Sequence, residues 1–302
     1  MNSILITGIN GFLGNYIRET LNKNNKIFGL SRSNSDYNYF LEKSIPIFDN
    51  CFELVIHAAG LAHHIPFNQN ERDLFHKVNV IGTENLLTGL ENSGIPQKFV
   101  FISTVAVYGE TVGNSITEST KLKAKDPYGK SKIQAERLVY NWCKEKNVVC
   151  TILRLPLIVG SNPPGNLGAM INGIKKGRYF NIAGGQAKKS MVLASDVAKY
   201  IMSAAEVGGI FNLTDGYHPT IFELSNSLSM QLKKKPSINL PYWLAKLFAL
   251  AGDLLGSRAP INSNILNKIT SNLTFDDSKA RNAFSWHPTP VLEGFKISYN
   301  NS

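Results

Sequence analysis

Short apolar runs and longer segments with helical periodicity alternate along much of the chain. The apolar runs are typical of strands buried on both faces of a parallel sheet. They cover residues 4–7, 26–30, 37–41, 54–60, 97–104 and 150–155, and a further strand is predicted near 209–214. Helical spacing over 12–24, 71–93 and 131–146 separates several of them. This order predicts right-handed crossovers and an α/β fold, a Rossmann-type doubly wound parallel sheet.

Two segments depart from that regular alternation. The stretch between residues 36 and 52 is short for a full strand–helix unit, so we expect a trimmed crossover there. Residues 241–256 predict an amphipathic helix whose apolar positions share one face, with Lys246 and Asp253 opposite. Those apolar positions are Trp243, Leu244, Leu247, Leu250, Ala251, Leu254 and Leu255. We expect this face to pack inside the molecule; a dimer contact or attachment to a membrane surface are the alternatives.

Composition and charge narrow the classes of partner. The 302 residues are 43% hydrophobic and 18% charged, which is ordinary for a globular enzyme. A net charge of +10 suggests an anionic partner, and because Lys and Arg are scattered, phosphate-bearing small molecules are favoured over nucleic acid. No apolar run reaches the ~18 residues that a membrane span needs, so no integral membrane segment is predicted.

The cysteine and histidine pattern indicates neither a disulfide framework nor a metal site. Cys51, Cys143 and Cys150 show no Cys-x-x-Cys spacing, and the histidines lack carboxylates or thiols at ligand spacing. The chain also begins without the pattern of a signal peptide. These features fit a reducing, cytoplasmic location.

Residues 8–14 predict a dinucleotide-binding turn between the first strand and the first helix. Gly8, Gly11 and Gly14 have the spacing that allows a tight turn, close approach of backbone to a pyrophosphate, and close packing of helix on strand. The N-terminus of the helix offers free N–H groups to the anion. The predicted cofactor contacts in this turn are Gly8, Asn10, Gly11, Phe12, Leu13 and Gly14.

The end of the second strand indicates which dinucleotide binds. An NAD site usually has an acidic residue about 20 residues past the glycines, where it holds the ribose 2′-hydroxyl. Here Ser31 and Arg32 occupy that place, and a hydroxyl with a guanidinium suits a 2′-phosphate. We therefore predict NADP(H), while nearby Asp36 keeps NAD(H) possible.

A tyrosine and a lysine four residues apart open the helix at 131–146. Tyr128 and Lys132 would lie on one helix face, where a nearby cation favours the phenolate and lowers a tyrosine pKa from its usual ~10. Thr104 ends the strand at 97–104, on the side where doubly wound sheets bind ligands. These three residues predict an acid–base site acting on a carbonyl or alcohol oxygen.

The motifs together resemble a known family. They are Gly8-x-x-Gly11-x-x-Gly14, His57-Ala58-Ala59-Gly60, Asn79-Val80-x-Gly82-Thr83, Ile102-Ser103-Thr104-x-x-Val107-Tyr108-Gly109, Tyr128-x-x-x-Lys132 and Arg154-Leu155-Pro156. Their order resembles that of extended short-chain dehydrogenases/reductases, in the nucleotide-sugar epimerase/dehydratase branch. The resemblance covers nearly the whole chain.

The resemblance implies roles for individual residues. Thr104, rather than Ser103, is the catalytic hydroxyl residue, Tyr128 is the acid–base, and Lys132 holds the nicotinamide ribose and lowers the tyrosine's pKa. Further cofactor contacts implied by the motifs are His57, Ala58, Ala59, Asn79, Ser103, Leu155, Pro156 and Ile158. For His57, a packed histidine at the end of its strand is the alternative interpretation.

The resemblance also implies a division of the chain. Residues 1–160, with the strand near 209–214, would form the NADP-binding Rossmann domain, and residues 161–302 mostly a smaller C-terminal substrate lobe. Asn166, Lys189 and Arg258 are the expected substrate contacts. Lys188 and Arg178 are further candidates for neutralising a diphosphate, although for each of these basic residues alone a solvated surface charge is the favoured interpretation.

Two further expectations follow from the resemblance. Asp196 is interpreted as a helix cap. A homodimer packed through the helices at 71–93 and 128–146 is common in the family and is expected here.

Two departures from the family indicate the reaction. Val105 and Ala106 stand where the family's 4,6-dehydratases carry Asp-Glu, and apolar side chains cannot move protons. Ser31 and Arg32 favour exchangeable NADPH over tightly held NAD. The hypothesis is NADPH-dependent reduction of the 4-keto group of a nucleotide-linked, UDP-type 6-deoxy N-acetyl sugar for surface polysaccharide. The alternatives are a UDP-sugar 4-epimerase with bound NAD, and a non-catalytic NADP-sensing regulator.

Overall fold

The computed structural model describes residues 2–62, 64, 66, 68–255 and 261–297. The strands are β1 (Ser3–Thr7), β2 (Lys26–Ser31), β3 (Tyr37–Asn38), β4 (Leu54–His57), β5 (Lys98–Thr104), β6 (Gly113–Ile116), β7 (Val149–Leu155), β8 (Leu157–Val159), β9 (Phe180–Ile182), β10 (Met191–Leu193), β11 (Gly209–Asn212), β12 (Ile238–Leu240) and β13 (Leu273–Phe275). A seven-stranded parallel sheet has the order β11-β7-β5-β4-β1-β2-β3. The predicted Rossmann-type fold is confirmed.

The helices cover both faces of this sheet. They are α1 (Phe12–Leu21), α2 (Gln69–His76), α3 (Gly82–Ser93), α4 (Pro127–Glu145), α5 (Gly165–Lys175), α6 (Ala194–Val207), α7 (Ile221–Gln231), α8 (Tyr242–Leu255), α9 (Ser263–Thr270), α10 (Ser278–Phe284) and α11 (Val291–Gly294). A π-helical turn, Lys77–Ile81, joins α2 to α3. Helices α1, α6 and α10 share one apolar core with the sheet, and α3 and α4 share the other.

The crossover from β3 to β4 has no helix, as its length predicted. Strand β3 is shorter than predicted and ends at Asn38. Phe48 and Phe52 replace a helix by packing edge-on against each other and against Tyr37. A compact aromatic cluster therefore covers this edge of the sheet.

The segment after residue 160 contributes to two places. Strand β11 joins the seven-stranded sheet, and helices α6 and α10 pack against it. This part of the chain therefore returns to the Rossmann core. Helices α5, α7 and α11 have their own apolar core. Strands β9 and β12 pair in parallel beside α8 and α9. We call β9, β12, α5, α7, α8, α9 and α11 the smaller lobe.

Helix α8 forms where predicted, but the side of the helix that is buried is opposite the side predicted to be buried. Its buried positions are the small residues Ala245 and Ala249, which pack with Leu266 of α9. Trp243 and Leu247, predicted to face the core, are exposed. Small side chains allow the helix to approach β9, β12 and α9 closely, so the expectation that the large apolar face packs inside is wrong. None of the helices in the described ranges is long and apolar enough to cross a bilayer.

Candidate active site

The turn between β1 and α1 requires its glycines. Gly8 has a φ of 68°, and a Cβ there would lie 2.8 Å from the Ala59 backbone. A Cβ on Gly14 would lie 2.1 Å from the Gly8 carbonyl oxygen, so helix and strand approach each other too closely for any side chain. Gly11 is the N-cap of α1 and provides no side-chain cap. The first turn of this helix therefore keeps N–H groups that can face an anion.

A second loop closes over this turn. The Asn10 amide donates to the Ser31 hydroxyl at 3.0 Å and to the carbonyls of Ser33 and Asn34 at 2.9 and 3.1 Å. The turn and the 31–35 loop thereby form one wall of a cavity of about 300 Å³. Gly8, Asn10, Ser31, Arg32 and Ala59, all predicted cofactor contacts, line this cavity.

Arg32 is already paired with a carboxylate. Its guanidinium lies 3.1 Å from Oε1 of Glu42, which lines the same cavity, and stacks over the Phe40 ring. The Arg32 side chain remains 57% exposed. The Glu42 side chain is only 13% exposed, so moving Arg32 to a phosphate would leave a mostly buried carboxylate without this partner. Glu42 lies in the trimmed crossover, where no motif indicated it.

Tyr128 and Thr104 meet at the end of β5. Asp126 caps α4 by accepting from the Gly129 N–H at 2.9 Å, which fixes Tyr128 in the first turn. The Thr104 side chain lies close enough to the Tyr128 phenol to lower the pKa of that phenol. Thr104 Oγ1 also accepts from the Ala106 N–H at 3.2 Å, so its own proton can point to the phenol oxygen. The structure thus brings together two predicted catalytic hydroxyls.

Lys132 lies one turn further along α4 and is buried. Its ammonium donates to the Ile102 carbonyl at 2.7 Å and lies 3.9 Å from the Phe101 ring centroid. Burial lowers the pKa of Lys132 to about 7, against the opposing effect of Glu136. The amine is therefore poised to exchange a proton near neutral pH.

The pKa of Tyr128 differs from the sequence-based expectation. Burial raises the pKa of Tyr128 above its usual value of 10, and this effect exceeds the opposing effect of Thr104. Lys132 does not lower the tyrosine's pKa in this structure, because its ammonium is directed to the Ile102 carbonyl. The expectation of a lowered pKa is therefore wrong here, and the phenol holds its proton at neutral pH.

His57 is a packed histidine and not a cofactor contact. Thr7 Oγ1 accepts from the Ala59 N–H and lies 2.6 Å from Nδ1, while Thr83 Oγ1 donates to the Asn79 carbonyl and lies 2.9 Å from Nε2. These roles require Nδ1 to accept and Nε2 to donate. Burial and the Lys132 charge lower the pKa of His57 to about 3, so the ring is neutral.

Asn79 is likewise committed to the protein itself. The π-helical turn directs its amide to the Leu61 backbone, where Oδ1 accepts at 2.7 Å and Nδ2 donates at 3.1 Å. Nδ2 also donates to Ser131 Oγ at 2.9 Å, and Ser131 donates to the Tyr128 carbonyl. The predicted cofactor contact is replaced by a bridge from the 58–62 loop to the start of α4.

Ser103 belongs to a buried ionic network. Its hydroxyl donates to Glu136 Oε1 at 2.5 Å, and Glu136 forms two hydrogen bonds with Arg154. Arg154 also donates to the Tyr108 hydroxyl, which donates to Asn212. The Ser103 side chain therefore points away from the cofactor cavity, and the network ties α4 to β5, β7 and β11.

Other predicted contacts divide into core and surface positions. Leu13 and Leu155 are buried in the sheet core, so their side chains serve packing. Phe12 and Ile158 are partly buried against the same core. The register of β5 with β7 places Thr104 beside Leu155. Pro156 and Ala58 are half-buried at this same edge of the sheet.

The predicted substrate contacts are scattered. The ammonium of Lys189 donates to the carbonyls of Lys268 and Ser271, each at 2.8 Å, so it stabilises the end of α9. Asn166 is exposed in the first turn of α5. Arg258 lies outside the described residues, as does His63. Asp196 does not cap α6, because it accepts from the Thr289 N–H at 2.6 Å instead.

Comparison with known proteins assigns the family. The model of the NAD dependent epimerase/dehydratase family matches residues 4–213. The chain belongs to this family. It is 28% identical to UDP-glucose 4-epimerase from Vibrio cholerae, over 97% of this chain and 93% of that protein. It is 26% identical, over the same shares, to N-acetyl-alpha-D-glucosaminyl-diphospho-ditrans,octacis-undecaprenol 4-epimerase from Escherichia coli O157:H7.

The fold agrees with this assignment. The structure of RMD from Pseudomonas aeruginosa complexed with NADPH is 19% identical and superimposes with a TM-score of 0.72, over 95% of this chain and 94% of that one. As a member of the epimerase/dehydratase family, the chain is an NAD(P)-dependent enzyme of the extended short-chain dehydrogenase/reductase type.

The residues present fit the family's nicotinamide dinucleotide. Gly8, Gly11 and Gly14 allow the close turn at which the first N–H groups of α1 could face its pyrophosphate. Sequence reasoning missed Ser33, Tyr39, Leu41 and Glu42, which line the far end of the cavity. The sequence feature that could have indicated these residues is their position just after β2 and β3. The shortened crossover follows no standard spacing, so no motif marks them.

Proposed function

We propose that this enzyme reduces the 4-keto group of a UDP-linked 6-deoxy N-acetyl sugar with NADPH, for surface polysaccharide synthesis. The observation that carries the proposal is the position of the Thr104 hydroxyl beside the Tyr128 phenol, at the end of β5, where burial raises the pKa of Tyr128 and so keeps the phenol protonated. Reduction of a ketone needs a proton donor at the carbonyl oxygen. An initial oxidation would need the phenolate instead.

The cofactor would be held by residues already in place. Gly8, Gly11 and Gly14 would face the pyrophosphate, and Ser31 and Arg32 the adenosine 2′-phosphate. Bound NADPH supplies the hydride for the sugar C4. The release of Arg32 from Glu42 would accompany 2′-phosphate binding, because both anions need the same guanidinium.

The chain's own residues handle the proton. Tyr128 donates its hydroxyl proton to the C4 oxygen, while the Thr104 hydroxyl hydrogen-bonds that oxygen and fixes its position. Lys132 lies one turn further along α4, and its ammonium would have to leave the Ile102 carbonyl to stabilise the phenolate that this transfer creates. Asp126 supports the geometry by capping α4.

The two positions after Thr104 argue against the 4,6-dehydratase reaction found in the family. Val105 and Ala106 open a short 3₁₀ turn directly after Thr104. A 4,6-dehydratase needs acid and base side chains there, and these two carry none. A purely regulatory role is also disfavoured, since Thr104, Tyr128 and Lys132 are all present in the sequence.

A 4-epimerase is the second candidate, and the relatives favour it. The Vibrio protein is named as acting on UDP-glucose, and the Escherichia protein as a 4-epimerase of a diphospho-undecaprenol-linked N-acetylglucosaminyl group. Epimerisation would use the same Tyr128 and Thr104 with retained NAD. A protein that purifies with bound nicotinamide and interconverts epimers without added cofactor would establish this alternative.

The test is oxidation of NADPH upon adding a UDP-4-keto-6-deoxy-N-acetylhexosamine. We expect one NADPH oxidised per sugar, and the Tyr128→Phe variant to turn over about 10²- to 10⁴-fold more slowly with NADPH affinity unchanged. Tyr140→Phe, on the exposed side of the same helix, is the matched control and should behave as wild type. Equal turnover by Tyr128→Phe would remove Tyr128 from its role.

A further inference from the structure

Helix α8 carries a continuous apolar stripe on its outer side. Trp243, Leu247, Leu250 and Leu254 follow one another at intervals of four, three and four residues, which places them on one face of a helix. They are between 50% and 91% exposed. We call these four residues the α8 stripe. Large exposed apolar groups arranged in this way mark an interaction surface.

The inner side of α8 shows that the stripe faces away from the molecule. Ala245 and Ala249 are fully buried, with Leu240 and Ile182 packed against them. At 100° per residue these alanines lie roughly opposite the stripe. In the two strands that pack on this inner side, the register partners Phe180 and Ile238 are also exposed.

The charge of this part of the chain indicates the chemistry of its partner. Between Glu223 and Asp276 the sequence has one acidic residue, Asp253, whose carboxylate accepts from the backbone and hydroxyl of Ser263. The basic residues in that interval are Lys233, Lys234, Lys235, Lys246, Arg258 and Lys268. The four of these before residue 250 are exposed. Lys246 lies on α8 itself, and Lys233–Lys235 come just before β12, the strand that leads into this helix. An apolar helix face with basic residues close by in the chain is typical of helices that lie in a membrane interface.

We propose that α8 docks this enzyme onto the surface of an anionic lipid bilayer. The α8 stripe would insert between headgroups, while Lys233–Lys235 and Lys246 contact anionic lipid phosphates. A second copy of the chain fits the same surface less well. A two-fold contact through the stripe would bring two lysine-rich segments together without acidic partners. The proposal does not depend on which sugar the enzyme uses.

The wild-type protein contains its own reporter for this contact. Of the three tryptophans, Trp142 and Trp286 are buried and Trp243 is exposed in the stripe. With vesicles of phosphatidylcholine containing about 30% phosphatidylglycerol, we expect a blue shift of Trp243 emission and quenching by brominated acyl chains. Pure phosphatidylcholine should give a weaker response. Binding should weaken as NaCl rises from about 0.1 M to about 0.5 M.

Variants test whether vesicle binding depends on the α8 stripe or on non-specific adhesion of exposed apolar residues. Leu247→Glu with Leu250→Glu should lower vesicle binding in flotation about tenfold or more, with NADPH binding and thermal unfolding unchanged. Ile45→Glu with Ile47→Glu is the matched control, since both isoleucines are exposed on the distant crossover. Replacing Lys233, Lys234 and Lys235 with Gln should weaken only the anionic-lipid component.

Several outcomes would overturn the proposal. One is unchanged Trp243 emission with the anionic vesicles, and another is wild-type flotation by the stripe variant. A third is a wild-type oligomer that does not bind vesicles and that the stripe variant dissociates in sedimentation velocity. That last result would assign the α8 stripe to self-association. The wild-type fluorescence measurement tests whether Trp243 contacts the bilayer even if the Glu variants do not fold.

Discussion

At the scale of single residues, the burial of Lys132 lowers the folding stability of the protein. Lys132 is buried beside Phe101 with a pKa near 7, although a lysine exposed to water titrates near 10.5. The lowered pKa means that the fold disfavours its charged form. Such a residue is retained for chemistry rather than for packing.

Replacing Lys132 with Met should therefore stabilise the protein while abolishing turnover. Between pH 10.5 and 7 the unfolded lysine binds more protons than the folded one, so wild-type stability falls as the pH falls. At pH 7 we expect Lys132→Met to unfold at a free energy higher by about 1–3 kcal/mol, and the gap to narrow towards pH 10.

Urea unfolding at several pH values measures this difference. Lys130→Met, on the exposed side of the same helix, is the control and should show no such pH-dependent gap. If Lys132→Met were less stable than wild type at pH 7, the ammonium would be a net stabilising group, and the argument from burial would be wrong.

At the scale of elements, local requirements could be predicted and distant partners could not. The glycine turn follows from backbone geometry within seven residues, so sequence alone located it. Ser103 and His57 were assigned to the cofactor from the family motifs. Their side-chain partners, Glu136 and Thr83, lie 33 and 26 residues away, where the sequence does not reveal them. Asn79 depends on a π-helical turn that hydrophobic periodicity does not reveal. Ser31 and Arg32 were predicted as cofactor contacts from their residue types, but the pairing of Arg32 with the Glu42 carboxylate was not predicted.

The pairing of Arg32 with Glu42 gives this loop a testable preference. Arg32→Ala should weaken NADPH binding about tenfold or more, with NADH affinity little changed, because only NADPH carries the 2′-phosphate. Lys43→Ala is the matched control, since Lys43 also stacks on Phe40 but does not line the cavity. Fluorescence titration of both cofactors measures the effect. An equal loss for NADH and NADPH would contradict a 2′-phosphate site.

At the scale of the whole molecule, the sheet was predictable and the orientation of the smaller lobe's surface was not. Parallel strands buried on both faces leave a strong apolar signal, and alternation with helices predicts right-handed crossovers. The strand order itself comes from the structure. Helix α8 reverses the usual rule, because its alanine side is buried and its Trp243 side is exposed. The larger apolar face was assigned to the core on hydrophobicity alone. The contacts of Ala245 and Ala249 with the neighbouring strands decide the orientation.

The central claim is net reduction at the sugar C4, and isotope transfer tests it most directly. NADPH deuterated at nicotinamide C4, in each of its two stereoisomeric forms, would be supplied with the UDP-4-keto-6-deoxy-N-acetylhexosamine. The account predicts that one form delivers deuterium to C4 of the product, with one NADP⁺ released per sugar. A product without deuterium, or C4 epimers formed from a UDP-sugar without NADPH consumption, would contradict the reductase and establish the epimerase.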